Sequence, residues 1–310
     1  MTRHFLEISD FTVEELRDVL DLALAPPTSL LSGRGVALLF EKPSARTRHS
    51  SEMAVVHLGG HPITVAAAEV DLDRRETAED VARTFAQYHA AICARVFDHT
   101  VLERMAAAVD AAGFRVPIVN LLSERGHPCQ AIADLLTMRE ALGSDLAGRV
   151  LTYVGDANNV TRSLALAGVA MGMQVRIAAP EGYQFDASEL AEIAAFAVEA
   201  GEGGSVLQGA DLHAFAEHAD VLYTDVWTSM GQEAEAAERR AAFAGYTIDA
   251  DLLARTPNAV VLHCLPAHRG EEISDEVFEG ARSLVWRQAF HRRTAMIGIF
   301  TVLAQMGSIQ

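Results

Sequence analysis

The stretch VALLFEKPSARTRHSSEMAVVHLGG, residues 36–60, shows how the chain is organised. Its first residues, 36–40, are all apolar and predict a buried strand. A polar segment follows and opens a helix that is predicted to extend to His57, where Gly59-Gly60 close it. A strand, a polar turn and a helix in this order form the repeating unit of α/β proteins.

The same unit recurs along almost the whole chain. Further strands are predicted at residues 63–66, 91–96, 117–121, 149–154, 175–179, 206–208, 221–225 and 259–263. Helices are predicted at residues 77–89, 100–112, 128–142, 160–172 and 286–306, and a capping box at Thr12 and Glu15 predicts an earlier one. Because strands that alternate with helices need crossover connections, we expect an α/β fold with mainly parallel sheets flanked by helices.

The chain is long enough for two domains, since 310 residues exceed the usual ~100–200 of one domain. Gly143 and Gly148 bracket a short polar connection after which the alternation restarts. We therefore expect one domain at residues 1–143 and a second at residues 149–285. Parallel sheets bind ligands beyond the carboxyl ends of their strands, so the predicted active site lies in the cleft between the two domains.

The composition is that of a globular protein, with 50% apolar and 22% charged residues. It is strongly acidic, because 42 Asp and Glu against 25 Lys and Arg give a formal net charge of −17. Such a field repels nucleic acid and anionic membranes, so neither is an expected partner. Any anion that the chain binds must be held by a local group of Arg, His and backbone N–H groups.

The cysteines indicate a reducing compartment. Cys93, Cys129 and Cys264 are an odd number, lie far apart and have no CxxC spacing, which argues against a disulfide framework. The N-terminal residues contain no apolar run of signal length, and no stretch approaches about 18 uncharged apolar residues. We therefore expect a cytoplasmic protein without a membrane segment.

Two motifs at strand-to-helix turns are suited to an anion. In Ser44-Ala45-Arg46-Thr47-Arg48, small residues let backbone N–H groups converge at a helix N-terminus, and the arginines favour phosphate. A capped helix start with two solvated arginines explains this segment equally well. His127-Pro128-Cys129-Gln130 places Pro128 at a first helical position, with His127 before it and Gln130 one turn later. A plain N-cap is the alternative for His127.

Two turns in the second half of the chain carry a carboxylate and a thiol. Asp225-Val226-Trp227-Thr228-Ser229-Met230-Gly231 follows a predicted strand, where Asp225 suits either an ammonium group or a helix start. His263-Cys264-Leu265-Pro266-Ala267-His268 follows another, where Cys264 is either a functional thiol or a small buried residue. No fourth ligand stands at a recognisable spacing from these two histidines and the cysteine, so we predict no metal site.

Three weaker features complete the set of candidates. Gly155-Asp156-Ala157-Asn158-Asn159 lacks the three-glycine spacing of a dinucleotide site, so a nucleotide-dependent oxidoreductase is not supported and no cofactor is predicted. Arg95 ends a predicted strand, and Arg292 lies early in the last predicted helix. Either arginine suits the surface as well as a ligand.

Taken in order, the four turn motifs resemble those of the aspartate/ornithine carbamoyltransferase family, over nearly the whole chain. Residues 44–48 are similar to the family's Ser-Thr-Arg-Thr-Arg carbamoyl phosphate loop, and residues 127–130 to its His-Pro-x-Gln segment. Residues 225–231 resemble the Asp-x-Trp-x-Ser-Met-Gly of the ornithine branch, and residues 263–266 resemble its His-Cys-Leu-Pro turn. Four motifs in sequential order are far more specific than any one of them.

The resemblance implies a transferase of arginine biosynthesis that moves the carbamoyl group of carbamoyl phosphate to the δ-amine of L-ornithine, giving L-citrulline and phosphate. The catalytic residues it implies are Arg95, His127, Asp225 and Cys264. The carbamoyl phosphate-binding residues it implies are Ser44, Ala45, Arg46, Thr47, Arg95, His127, Gln130, Cys264, Leu265 and Arg292. The ornithine-binding residues it implies are Asn159, Asp225, Ser229 and Met230. It also implies a homotrimer or a multiple of trimers, with a last helix, 286–310, that packs back on the first domain.

The chemistry is consistent with these roles. Attack of a neutral amine develops charge on the carbonyl oxygen, which the donors Arg95 and His127 are expected to stabilise. The δ-amine must first lose a proton, and Cys264 with Asp225 would favour its neutral form. Asp225 also argues against aspartate as the acceptor, because it would repel a further carboxylate.

Two departures from the family pattern stand out. Ala45 replaces the usual second Thr of the phosphate loop, which removes one hydroxyl hydrogen bond, about 0.5–1.5 kcal/mol. Residues 69–76, EVDLDRRE, lack the glutamine that family members place in a loop reaching a neighbouring subunit's carbamoyl phosphate. Since carboxylates beside a phosphate are unfavourable, either this loop is turned away or Arg74 and Arg75 face the site.

Two alternatives stay open at this stage. A carbamoyltransferase for a related amine, such as putrescine, lysine or N-acetylornithine, would keep the phosphate site and change the acceptor. A non-catalytic paralogue would bind carbamoyl phosphate without turnover, although Arg46, Arg95, His127, Asp225 and Cys264 together argue against it.

Overall fold

The computed structural model describes residues 2–26, 29–228 and 233–309 and divides into two units. The first unit comprises Met1–Ala133 and Phe290–Gln310, and the second comprises Asp134–Ala289. The chain passes from one unit to the other inside two helices, Pro128–Leu142 and Val285–Gln305. The boundary predicted at residues 143–148 lies in the loop that follows the first of these helices.

Strands and helices alternate from end to end. As far as the first crossing helix, the elements are α1 (Val13–Leu22), β1 (Gly35–Phe40), α2 (Ala45–His57), β2 (His61–Ala66), α3 (Ala67–Val70), α4 (Ala78–Ala86), β3 (His89–Arg95), α5 (His99–Ala111), β4 (Ile118–Leu122) and α6 (Pro128–Leu142). They continue with β5 (Val150–Val154), α7 (Asn159–Ala170), β6 (Gln174–Ala178), α8 (Ala187–Ala200), β7 (Ser205–Gly209), α9 (Leu212–Ala216), β8 (Val221–Thr224), α10 (Ala236–Ala242), α11 (Ala250–Arg255), β9 (Val260–His263), α12 (Asp275–Phe278) and α13 (Val285–Gln305).

The first unit contains a four-stranded parallel sheet in the order β2-β1-β3-β4. Phe40 at the end of β1 pairs with Arg95 at the end of β3, and the Glu41 N–H donates to the Arg95 carbonyl at 2.9 Å. The side chain of Arg95 is thereby brought to the start of α2. On the same unit, α13 packs closely on α1, because a Cβ at Gly298 would lie 2.2 Å from the Val19 carbonyl oxygen.

The second unit contains a five-stranded parallel sheet in the order β7-β6-β5-β8-β9. Val154 pairs with Thr224, and Thr224 pairs with His263, so the last residues of β5, β8 and β9 are in register. The turns that follow these strands therefore begin side by side at one edge of the sheet. This register brings together three segments, at residues 155–159, 225–228 and 263–265.

The predicted two-domain α/β fold with parallel sheets is confirmed, and a strand is present at each position where the pattern predicted one. The capping box also forms: the Thr12 hydroxyl accepts the Glu15 N–H at 3.2 Å, and the Glu15 carboxylate accepts the Thr12 N–H at 2.8 Å. The elements that are predicted with bounds differ mainly at their ends, as at residues 77–89, where the helix ends at Ala86 and β3 already begins at His89. Helices α3 and α8 to α12 lie where no helix bounds are predicted. None of the described helices combines the length and the apolar composition that a bilayer crossing requires.

Candidate active site

The first turn of α2 is arranged to receive an anion. Ser44 is the N-cap, with extended backbone angles, and its hydroxyl accepts the Thr47 N–H at 3.4 Å. The N–H groups at the start of a helix have no partner inside the helix, and the helix dipole is positive at this end. Ala45 and Arg46 occupy this turn and are exposed. The backbone and the dipole thus favour a negatively charged ligand here.

Two buried arginines meet at the same turn. Arg95 donates from Nη1 to the Ser44 hydroxyl at 3.3 Å and to the Thr47 hydroxyl at 3.4 Å. Arg292, from α13, donates from Nη2 to the Thr47 hydroxyl at 3.1 Å. Each arginine is only 7% exposed. The Thr47 oxygen accepts from both guanidinium groups, so its own O–H is free to donate to a ligand.

Two of the arginines at this turn have no carboxylate partner among the described residues. Across residues 2–26, 29–228 and 233–309, no carboxylate lies within ion-pair distance of Arg95 or Arg46. Burial, with the neighbouring charges of Arg292 and Arg46, lowers the pKa of Arg95 to about 10, so it stays cationic at neutral pH. A buried cation without a carboxylate partner is costly, and an anionic ligand would remove that cost.

His127 and Gln130, at the start of α6, join the same group. His127 is 5% exposed, and burial with the charges of Arg292 and Arg95 holds its pKa well below the usual 6.5. Its imidazole is therefore neutral at pH 7. Gln130 is 1% exposed, and its side-chain oxygen accepts a hydrogen bond from Arg292 Nη1. We call Ser44, Ala45, Arg46, Thr47, Arg95, His127, Gln130 and Arg292 the anion pocket.

In the second unit, Asp225, His263 and Cys264 lie at the shared edge of β8 and β9. A carboxylate oxygen of Asp225, a ring nitrogen of His263 and the Cys264 sulfur all lie within 4.8 Å of one another. Asp225 is 6% exposed, and its Oδ1 accepts the Val226 N–H at 2.8 Å. Cys264 is half-buried and is not in a disulfide. We call Asp225 and Cys264 the acid–thiol pair.

Both ring nitrogens of His263 form hydrogen bonds within the turn that follows β9. Its Nδ1 accepts the Leu265 N–H at 2.9 Å, so the ring proton is on Nε2, which lies 3.0 Å from Glu272 Oε1. Both His263 and Glu272 are fully buried. Leu265 has a φ of 63°, a left-handed conformation that a non-glycine residue adopts only where its surroundings hold it. With both ring nitrogens engaged, His263 is a poor metal ligand.

The turn after β5 lies at the same sheet edge. Asn159, the remaining described ornithine candidate, is the first residue of α7, which Asn158 caps by accepting the Val160 N–H at 2.9 Å. In this turn, Asp156 pairs with Arg239 at 2.7 Å, and the same Arg239 nitrogen donates to the Trp227 carbonyl at 3.0 Å. Arg239 therefore joins the turn after β5 to the turn after β8.

The structure brings the candidate residues together in two groups. The eight residues of the anion pocket lie in the first unit, and Asn159, Asp225, Cys264 and Leu265 lie at one sheet edge of the second. Ser229 and Met230 lie outside the described residues. The ligand and catalytic roles assigned to all of these residues stay predictions.

The acidic segment 69–76 is held by an arginine of α5. Arg104 binds both carboxylate oxygens of Asp73, at 2.7 and 2.8 Å, and it binds Glu79 at 2.7 Å. The hydrogen bond from Arg104 lowers the pKa of Asp73. Arg75 donates to the Glu69 carbonyl of its own segment at 3.4 Å, while Arg74 is exposed. At least one of the carboxylates in this segment is thus neutralised locally.

Sequence reasoning missed two residues that shape the site. Arg239 lies 83 residues from its partner Asp156, and nothing in its local sequence marks it. Glu272 lies in an acidic stretch that is typical of a solvated loop, yet it is fully buried against His263. A buried acid next to a histidine is visible only after the chain has folded.

Two family profiles cover most of the chain. The profile described as "Aspartate/ornithine carbamoyltransferase, carbamoyl-P binding domain" matches residues 3–140. The profile described as "Aspartate/ornithine carbamoyltransferase, Asp/Orn binding domain" matches residues 147–303. The gap between them, residues 141–146, covers the end of α6 and part of the loop after it, near the predicted boundary.

Individual proteins match over nearly the full length. A protein from Acidothermus cellulolyticus named ornithine carbamoyltransferase is 49% identical over 304 residues, 94% of this chain and 93% of its own. One from Pyrococcus furiosus, named as the anabolic ornithine carbamoyltransferase, is 41% identical over 317 residues, 99% of this chain and 98% of its own. The solved structure of ornithine carbamoyltransferase from Pyrococcus furiosus aligns with a TM-score of 0.89 over 99% of this chain and 98% of that one. The resemblance of the four motifs is confirmed, and the chain belongs to the aspartate/ornithine carbamoyltransferase family.

Proposed function

We propose that this enzyme transfers the carbamoyl group of carbamoyl phosphate to the δ-amine of L-ornithine, giving L-citrulline and phosphate. The observation that carries the proposal is the anion pocket, where the buried arginines Arg95 and Arg292 converge on the first turn of α2. Relatives that share 41–49% of their residues with this chain are named ornithine carbamoyltransferase, which supports the choice of acceptor.

The anion pocket would bind the phosphate end of the donor. Ser44, the backbone at Ala45 and the guanidinium of Arg46 would hold the phosphate oxygens at the positive end of α2. Thr47 would donate its free O–H, because its oxygen already accepts from Arg95 and Arg292. Charge-assisted contacts of this kind are about twice as strong as neutral ones.

The carbonyl oxygen of the donor would lie against Arg95 and His127. As the amine attacks, negative charge grows on this oxygen, and donors already in place stabilise it without reorganising. The His127 imidazole is neutral, so it would donate one N–H to the carbonyl oxygen and would not attract the phosphate as a further cation. Gln130, whose oxygen is fixed by Arg292, and the backbone at Leu265 would orient the carbamoyl amide.

The acid–thiol pair would receive the amino acid. Asp225 would pair with the α-ammonium group, and Asn159 with Ser229 and Met230 would hold the remaining polar groups of ornithine. Cys264 would lie next to the δ-amine and favour its neutral form. The C–N bond forms first and gives a tetrahedral intermediate. Its collapse breaks the C–O bond to phosphate, and the departing phosphate takes the proton that the amine releases.

Asp225 separates ornithine from the related amines. N-acetylornithine has a neutral amide where ornithine has an α-ammonium group, so it would leave the buried Asp225 carboxylate without a cation. Putrescine lacks the α-carboxylate, and lysine places its amine one methylene further away. Misplacement of the reacting amine alone would lower the rate of transfer about 100-fold.

The test is steady-state citrulline formation by the purified chain from carbamoyl phosphate and ornithine, with phosphate release measured in parallel. We expect one phosphate for each citrulline, dependent on both substrates. Binding of carbamoyl phosphate without citrulline formation would favour the non-catalytic alternative and overturn the proposal. The variant Arg46→Met tests the anion pocket. If Arg46 holds the phosphate group, this variant should lose both citrulline formation and affinity for phosphate.

We also propose a homotrimer that works in a reducing cytoplasm. Several large apolar side chains of the first unit are exposed on α2, on β2 and in the turn before β3, which suits a subunit interface: Met53, Val56, Ile63 and Tyr88. Cys93 and Cys129 are buried free thiols, in keeping with a cytoplasmic location. Light scattering coupled to size-exclusion chromatography tests the trimer directly, and a monomeric mass would contradict it.

A further inference from the structure

The outer edge of β9 raises the question of what holds the Cys264 turn in place. Strand β9 is the last strand of its sheet, so alternate N–H groups point away from β8. The Val261 N–H is taken by the Arg282 carbonyl at 2.9 Å. Two residues later, the His263 N–H is taken by the side-chain oxygen of Gln288 at 2.8 Å. The backbone of Arg282 accepts the first of these N–H groups, and the side chain of Gln288, in α13, accepts the second.

Gln288 is bonded on its other side as well. Its Nε2 donates to Asp134 Oδ1 at 2.7 Å and to the Tyr223 hydroxyl at 3.1 Å. The Tyr223 hydroxyl donates in turn to Asp134 Oδ2 at 3.1 Å. Gln288, Asp134 and Tyr223 are all at most 1% exposed. We call these three residues the amide cluster.

The amide cluster fixes the orientation of the Gln288 side chain. Asp134 offers acceptors, and the His263 N–H is a donor, so the nitrogen of the amide must face Asp134 and the oxygen must face β9. Burial and the Asp134 charge raise the pKa of Tyr223 well above its usual value, so its hydroxyl keeps the proton that it donates. Every polar atom of the Gln288 amide is therefore engaged in one arrangement.

Cys264 lies between two held backbone N–H groups. On one side, the His263 N–H is bound by Gln288, and on the other, the Leu265 N–H is bound by the ring of His263. A shift of the backbone at His263 would move the thiol and the left-handed Leu265 together. His263 lies at the same strand end, with a ring nitrogen within 4.8 Å of a carboxylate oxygen of Asp225.

We infer that Gln288 is a positioning residue for the acid–thiol pair: through the His263 N–H it sets where Cys264 and Leu265 lie in the second unit. Its role in turnover rests on the proposed function, whereas its control of the Cys264 turn does not. Gln288 touches neither substrate in this account and acts through the backbone alone.

Gln288→Glu tests the inference with the smallest change in shape. The variant keeps the oxygen that accepts the His263 N–H but places a second oxygen 2.7 Å from Asp134, in the position of Nε2. We expect kcat/KM for ornithine to fall at least about 10-fold, because small displacements of reacting groups are costly. In the double variant Asp134→Asn/Gln288→Glu, an amide again faces a carboxylate. Its kcat/KM for ornithine should recover to within about threefold of wild type.

A second readout does not depend on turnover. Cys93 and Cys129 are buried, and burial raises the pKa of both thiols, so iodoacetamide should modify Cys264 selectively. We expect its rate of alkylation to change at least about threefold in Gln288→Glu and to return in the double variant. The control is Gln208→Glu in β7, where the side chain of a half-buried glutamine bonds to the backbone of Phe185.

The outcomes separate the two claims. If the wild-type chain makes no citrulline but the alkylation rates shift and recover as expected, the proposed function fails and the positioning role stands. If Gln288→Glu leaves both kcat/KM and alkylation within about twofold of wild type, the inference is wrong. It is also wrong if the double variant fails to recover while phosphate affinity and thermal stability fall together. Should Gln288→Glu not fold, the near-isosteric Gln288→Met is measured in its place, with the same changes expected.

Discussion

The functional side chains of the anion pocket and of the acid–thiol pair are positioned in different ways. In the anion pocket, Arg95 and Arg292 reach the first turn of α2 with long cationic side chains, and Thr47 joins them. At the acid–thiol pair, the functional side chains are short and sit directly on the ends of β8 and β9. Their positions depend on the backbone, which buried neighbours hold at His263 and Leu265.

The two regions are therefore sensitive to different substitutions. In the anion pocket, the charge of one side chain supplies the interaction, so removing that side chain removes the function. At the acid–thiol pair, the same loss follows from moving the turn, even when Asp225 and Cys264 are both intact.

Arg95→Met should lower kcat/KM for carbamoyl phosphate at least about 1,000-fold, because one residue supplies both a buried cation and an oxyanion donor. Steady-state citrulline formation measures it. Arg104→Met is the control, since Arg104 is half-buried and bonds Asp73 and Glu79 in the same unit. A variant that keeps more than about a tenth of wild-type activity would remove Arg95 from the reaction.

His127→Ala should lower kcat at least about 100-fold, the scale of a single oxyanion donor, with less effect on phosphate affinity. Single-turnover kinetics at saturating substrates isolates the chemical step. His213→Ala, on the exposed face of α9, should leave the rate unchanged. A loss smaller than about threefold would show that His127 does not polarise the carbonyl.

Asp225→Asn should lower kcat/KM for ornithine about 10–100-fold, the value of a charged hydrogen bond of 1.5–3 kcal/mol. Inorganic phosphate should still bind with wild-type affinity, because the anion pocket lies in the other unit. Calorimetric titration with phosphate, beside ornithine kinetics, separates the two. Loss of phosphate binding would mean that the two sites are wrongly assigned.

The buried histidine also predicts how stability depends on pH. His127 has a depressed pKa in the folded chain, so below about pH 6.5 the unfolded chain binds a proton that the folded chain does not. The free energy of unfolding should therefore fall as the pH is lowered, by up to about 1.4 kcal/mol per pH unit for this group. His4 and His89, with lowered pKa values, add in the same direction.

Urea unfolding across this pH range measures the effect, and His127→Asn should reduce the slope. An unchanged slope in that variant would show that His127 is protonated in the folded chain.

Ala45→Thr is the smallest expected change and the one gain. The exposed Ala45 stands where the family has a threonine, and restoring its hydroxyl should add about 0.5–1.5 kcal/mol of binding. The KM for carbamoyl phosphate should fall about 2–10-fold with ornithine kinetics unchanged. An equal or higher KM would show that this position contributes through its N–H alone.

The same contrast explains what could be predicted from the sequence. The strands were visible because each is a short apolar run followed by a polar turn, and the anion pocket was visible because residues 44–48 form one contiguous motif. Arg95 and Arg292 were candidates through the resemblance, since a single arginine at a strand end or in a helix has no distinctive local pattern.

The supports of the acid–thiol pair could not be predicted in this way. Gln288 is 25 residues from His263 and 154 from Asp134, and Arg239 is 83 from Asp156. Each becomes significant only when folding brings distant segments together and buries their polar groups. Glu272 is the clearest case, because an acidic loop residue is ordinarily solvated and here is fully buried.

The most direct measurement is a competition for carbamoyl phosphate labelled with 13C at its carbonyl. The wild-type chain would receive equal concentrations of ornithine, N-acetylornithine, putrescine, lysine and aspartate, and the labelled products would be identified by NMR. We predict citrulline in at least about 100-fold excess over any other carbamoylated product. A main product from another amine would contradict the role of Asp225 and the acceptor proposed here, and no labelled product would contradict the transfer reaction itself.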